Sequence, residues 1–153
     1  MADADKIMGF VPKDRYMYFT YMFVLVSAAG NAFFALLGMI GLGMASAGYG
    51  LMIVGLFGLI LAVVGLTQHK NDFTATEHAH FKYLAVLFVG FFIVNVVFGG
   101  VYMIAYTLGY LCTIALGVIE TILVWTGWNA LQGGRVITKD NLQSEVKVAL
   151  AKR

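Results

Sequence analysis

The sequence holds a single cysteine and very little charge: only 12% of its 153 residues are Asp, Glu, Lys or Arg. One cysteine, Cys112, excludes an intramolecular disulfide, and within its apolar run it reads as a small buried hydrophobe. A net charge of +2 and the lack of any nucleic-acid-binding motif exclude a nucleic-acid partner. Met1-Ala2-Asp3-Ala4-Asp5 is acidic where a secretory leader would be basic, so no cleavable signal peptide is expected. There is no phosphate-binding Gly-Lys loop, no metalloprotease helix motif, no nucleophile elbow and no haem-attachment pair. No autonomous enzyme is expected, because catalysis needs several converging groups.

What the chain has instead is apolar surface. Hydrophobic residues make up 61% of it, and mean hydropathy is +0.85. Soluble domains are roughly 45–50% apolar and about 25% charged, and short chains bury the smallest fraction of their surface. Lipid must cover the remainder.

All ten Lys and Arg fall in three segments: up to Arg15, from Lys70 to Lys82, and from Arg135 to Arg153. Seven of the eight acidic residues share those segments, the exception being Glu120. Two long apolar stretches lie between, Tyr16–Gln68 and Tyr83–Gln132, each long enough for two spans of about 20 residues. The sequence thus predicts an all-α integral membrane protein: residues 1–15, a four-helix domain over 16–132, and a tail over 133–153. The spans are placed near 16–44, 50–69, 78–104 and 108–132, as two hairpins turning at Ala45–Gly50 and Tyr106–Gly109. Four spans put every Lys and Arg on one side, which the positive-inside rule makes cytoplasmic, with both termini there. Tyr16, Tyr18, Tyr21 and Tyr83 then mark an inner aromatic belt, and Tyr49, Tyr102, Tyr106 and Tyr110 an outer one.

Outside the spans, Thr74-Ala75-Thr76-Glu77 matches a capping box opening the third helix. His69, His78 and His80 crowd the same loop. A surface metal site is the sharper alternative there, but His78 and His80, two apart, point to different helical faces. A solvated, headgroup-facing loop is expected. In the tail, Leu142, Val146 and Leu150 recur every four residues, predicting a short amphipathic helix lying on the membrane face or a partner, capped by Asp140 or Thr138. Ile7, Met8, Phe10 and Val11 are placed to dip into the interface.

Within the membrane, polar candidates are few: Glu120, Asn31 and Asn95. Glu120 lies twelve residues from the end of its span, roughly 18 Å deep at 1.5 Å per residue. An ionised carboxylate there costs at least ~2.5 kcal/mol. No cation of this chain reaches that depth, so Glu120 is neutral or is partnered by another chain or a ligand. Three roles stay open: a neutral hydrogen bond to Asn31 or Asn95 holding helices together, proton or cation handling, and contact with a partner. Gly41, Ala45, Gly55, Gly58, Ala62, Gly65 and Gly117 are the small residues expected at close helix contacts. No cofactor or resident metal is expected beyond bound lipid.

Gly65-Leu66 before the charged loop, Thr76-Glu77-His78-Ala79 opening the third span and Ala130-Leu131-Gln132-Gly133-Gly134 closing the fourth resemble the Tic20-like group of small polytopic membrane proteins. The proline that group carries near this end is absent; Arg135-Val136-Ile137 follows instead. The resemblance covers spans two to four and implies a polytopic helical fold, with little function attached. Small size, short outer turns and close-packing glycines point to a noncatalytic structural or accessory subunit of a larger membrane complex. The alternative is an oligomeric proton- or cation-coupled small-solute carrier using Glu120.

Overall fold

The computed structural model describes residues 6–7, 11–40, 45–99 and 106–151. Four long helices dominate: α1 (Tyr16–Met39), α2 (Ala45–Thr67), α3 (Ala75–Gly99) and α4 (Tyr106–Gln132). A shorter helix, α5 (Leu142–Ala151), follows. At 1.5 Å per residue the long helices run about 35–40 Å, more than a hydrocarbon core of about 30 Å. Each is also apolar enough to cross a membrane. The chain is therefore an all-α integral membrane protein with four transmembrane helices.

Both hairpins turn earlier in the chain than the sequence suggests, and α3 ends at Gly99 rather than at residue 104. Ala45–Gly50 and Tyr106–Gly109, expected as turns, are the first turns of α2 and α4, and α1 ends at Met39 rather than at residue 44. Glycine in a helix costs ~1 kcal/mol relative to alanine, whereas an unpaired backbone group in lipid costs several. Helix therefore persists through the small residues. Gly41 lies outside the described residues. At the other end α3 starts at Ala75, three residues earlier than expected, because the Glu77 backbone N–H donates to Thr74 Oγ1 at 3.3 Å.

Helix α1 packs extensively along α2 and α4, whereas α3 touches those two more sparingly and α1 only slightly. The helices thus form a square with α1 and α3 on one diagonal. Lipid outside removes the usual reason to bury large side chains, and small residues line the seams instead. Phe33, Ile53, Phe57 and Val96 face outward, while Ser27, Ala28, Ala32 and Ala35 of α1 are buried. A Cβ on Gly58 would lie 2.8 Å from Val24 Cγ2, and one on Gly65 2.8 Å from the Phe81 ring. Gly55 faces Ser27 and Phe88, and Ala62 is fully buried. On α4, a Cβ on Gly117 would come within 2.6 Å of Ala32 Cβ and 3.0 Å of its Cα and N.

The three charged segments meet at one end of the bundle. A two-stranded antiparallel ribbon, β1 (Lys6–Ile7) and β2 (Val11–Pro12), pairs Lys6 with Pro12 and Ile7 with Val11. Ile7 and Val11 were expected at the lipid interface. They are instead buried with Tyr16, Leu61, Ala62 and Phe81, plugging the bundle's charged end. Met8 and Phe10 lie outside the described residues. Lys13 Nζ sits 3.2 Å from Asp72 Oδ1, tying this segment to the α2–α3 loop. Asp72 also takes His69 Nδ1 at 2.9 Å, and these two partners, His69 first, hold its carboxyl below the usual range.

Candidate functional site

The polar groups of the bundle form two separate sets, one in mid-membrane and one at the charged end. In the first, Glu120 is only 6% exposed, on the α4 face shared by Thr113, Gly117 and Val124. One turn away, Gly117 meets the backbone of Ala32, the residue after the buried Asn31. Asn31 and Glu120 thus lie within about one helical turn of the same contact. No hydrogen bond joins them among the described residues. Asn95 is also buried, but its Nδ2 donates to Phe91 O of its own helix at 2.8 Å. The helix clasp through Glu120 and an asparagine is therefore not formed among the described residues.

The second set is centred on a residue the sequence placed in solvent. His80 is fully buried, six residues inside the charged end of α3 on the face of Leu84 and Phe88. Its Nε2 lies 2.8 Å from the carbonyl oxygen of Arg135, and its Nδ1 bonds the hydroxyl of Tyr21. A carbonyl only accepts, so Nε2 must carry a proton. In the neutral ring Nδ1 is then the acceptor, and Tyr21 donates to it. One imidazole joins α1, α3 and the segment after α4.

Local chain chemistry sets that geometry. Gly134 has φ +70°, and Arg135 N donates to Ala130 O at 2.8 Å while Gly134 N donates to Leu131 O at 3.0 Å. This is a Schellman ending, which needs a left-handed residue and so favours glycine. It turns the Arg135 carbonyl back toward the bundle. The Arg135 side chain points the other way and grips Glu145 of α5, Nε–Oε1 at 2.9 Å and Nη2–Oε2 at 3.2 Å.

That two-pronged pair also sets the rotation of α5. Its buried residues are Glu145 and Ala149, whereas Leu150 of the expected apolar stripe is 53% exposed. Asn141, rather than Asp140 or Thr138, organises the approach: its Oδ1 accepts from Thr138 N at 2.7 Å and its Nδ2 donates to Val136 O at 2.8 Å. The tail helix is docked on its own bundle by an ion pair, and Leu142 and Val146 are only half-buried.

Nearby tyrosines are likewise structural. Of the expected inner belt, Tyr16 and Tyr21 are buried, and only Tyr18 faces outward. Tyr16 donates to Leu61 O, and Tyr83 to Leu123 O at 2.6 Å. Each hydroxyl reaches across to a neighbouring element. Tyr110, assigned to the outer belt, is buried as well.

The three histidines share no site. His69 pairs with Asp72, His80 bridges Tyr21 and Arg135, and His78 Nε2 is buried with no hydrogen-bond partner. No group of three or more His, Cys, Asp or Glu is placed to hold a metal among the described residues. Sequence did carry the signal for His80. A helix opened by the Thr74 cap places His80, Leu84 and Phe88 four apart on one buried face. Comparisons with protein families, with curated proteins and with solved structures find no match to this chain, so none bears on the Tic20-like resemblance.

Proposed function

We propose that this protein is a noncatalytic structural or accessory subunit of a larger integral membrane complex, seated against its partner through α3. The observation behind this reading is Gly90. It sits mid-helix, with nothing within 4 Å of where a Cβ would lie. Mid-helix glycine costs ~1 kcal/mol relative to alanine, and no close contact among the described residues offsets that. Gly90 lies in a shallow row with Val86, Ile93 and Val97, and Val86 is 71% exposed. Such a row lets a second helix approach closely, and α3 is the least engaged of the four long helices. In this reading the charged end is cytoplasmic by the positive-inside rule.

Purification in mild detergent tests it. The wild type is expected to co-purify with other membrane chains, and Gly90→Leu to lose them while staying at least as thermally stable as the wild type. A wild type that runs as a stable monomer without partners would overturn the proposal.

A second reading, the proton- or cation-coupled carrier, is favoured by one observation. Glu120 is buried in mid-membrane with no described residue hydrogen-bonded to its carboxyl, and intramembrane acids mark ion pathways. Reconstituted protein would then show flux that Glu120→Gln reduces at least tenfold. Equal flux in the two proteins removes Glu120 from any pathway.

A further inference from the structure

At the charged end, a cleft of ≈ 170 Å³ opens toward lipid between α1 and α4. Tyr18, Met22 and Leu25 form its α1 wall, with Trp125 and Trp128 opposite. Trp128 meets Tyr18 and Tyr21 edge-on, with centroids 5.8 and 5.6 Å apart, so the lining is held by ring contacts. The lining is almost wholly apolar, as an acyl chain requires.

A polar depression of ≈ 320 Å³ adjoins this cleft at Tyr18, and its other lining residues are Asp14 and Arg15. Both are exposed, and neither forms an ion pair among the described residues. The neighbouring cation Lys13 is already engaged by Asp72. One cation and one anion, neither ion-paired among the described residues, therefore lie beside an apolar slot at the bundle's charged end.

We propose that this slot binds a glycerophospholipid with a primary-ammonium headgroup, its acyl chain between α1 and α4, its phosphate on Arg15 and its ammonium on Asp14. Charge complementarity selects this occupant. A lipid with anionic headgroup only would meet Arg15 but be repelled by Asp14. A choline headgroup carries positive charge but no N–H to donate to the Asp14 carboxylate. Free phosphate would match Arg15 alone and leave the slot empty. The proposal stands independently of whether a partner subunit exists.

Trp125 and Trp128 are the only tryptophans in the chain, so their fluorescence reports the cleft. The full chain is reconstituted in phosphatidylcholine vesicles containing a small fraction of phosphatidylethanolamine, phosphatidylcholine or phosphatidylglycerol with brominated acyl chains. Half-maximal quenching is expected at a several-fold lower mole fraction of brominated phosphatidylethanolamine than of either other lipid. Asp14→Asn should abolish the advantage over phosphatidylcholine, and Arg15→Gln should raise the phosphatidylethanolamine requirement to the phosphatidylcholine value. Inorganic phosphate should not relieve the quenching. Equal quenching by phosphatidylethanolamine and phosphatidylcholine in the wild type would mean ordinary surrounding lipid and overturn the proposal, without need of any variant. Stronger quenching by phosphatidylglycerol, or a preference that survives Asp14→Asn, would overturn it too, by removing Asp14 from the site.

Discussion

His80→Leu is expected to lower thermal stability sharply in detergent and to expose the segment after α4 to protease. The substitution keeps a side chain of similar size but removes both hydrogen bonds, stranding the buried Tyr21 hydroxyl and leaving the part-buried Arg135 carbonyl without its donor. Hydrogen bonds between membrane helices average only about 0.6 kcal/mol in double-mutant cycles. An orphaned buried polar group, however, costs ~1–3 kcal/mol, so the stranded Tyr21 hydroxyl adds more than a lost bond does. Tyr21→Phe removes one bond and strands only Nδ1, and its effect should be about half as large. Melting curves of the three proteins check the ranking. If His80→Leu melts with the wild type, the imidazole is not the joint described above.

Gly117→Leu should have a comparable effect by a different route. Its Cβ would press on Ala32 Cβ, Cα and N, and backbone atoms cannot rotate aside as a side-chain tip can. Helices α1 and α4 would have to separate, opening the seam near Glu120. Overpacking costs typically ~1–3 kcal/mol and occasionally more; an inflexible neighbour puts this case at the upper end. Gly90→Leu is the control, since nothing lies near its Cβ position. Denaturant unfolding of both variants in the same detergent should show Gly117→Leu destabilised and Gly90→Leu at least as stable as the wild type. Two equal curves would show that the α1–α4 seam can give way without penalty.

The parts of this fold that were legible in the sequence are those fixed by solvent preference. Ten cations in three segments leave two apolar stretches, and bilayer thickness divides each stretch in two. The parts that were not legible depend on rotation about helix axes. In lipid, α1 to α4 are apolar on nearly every side, so periodicity does not say which face turns inward. Tyr16 and Tyr21 looked like belt residues because Tyr is common at interfaces, yet the bundle offers their hydroxyls partners at the same depth. Leu142, Val146 and Leu150 made a convincing stripe, but a two-pronged ion pair to Arg135 turned α5 onto Glu145 and Ala149 instead. Ion-pair partners ten residues apart leave no periodic trace. Glu120 is legible as the acid without a cation; that Asn31 lies beside the Gly117 contact without a hydrogen bond to Glu120 is not readable from spacing.

The His80 joint also implies an order of assembly. Its two bonds span 59 and 55 residues of sequence, from Tyr21 to His80 and from His80 to Arg135. Helices α1 and α2, by contrast, are neighbours in sequence and share the most extensive contact of the bundle. As a chain enters a bilayer from its N-terminal end, the first hairpin can zip up alone while α1 still presents an open flank to lipid. The imidazole finds its carbonyl only after α4 has crossed and its glycine ending has formed. Closure of the bundle at its charged end therefore has to wait for the last span, however early the first hairpin forms.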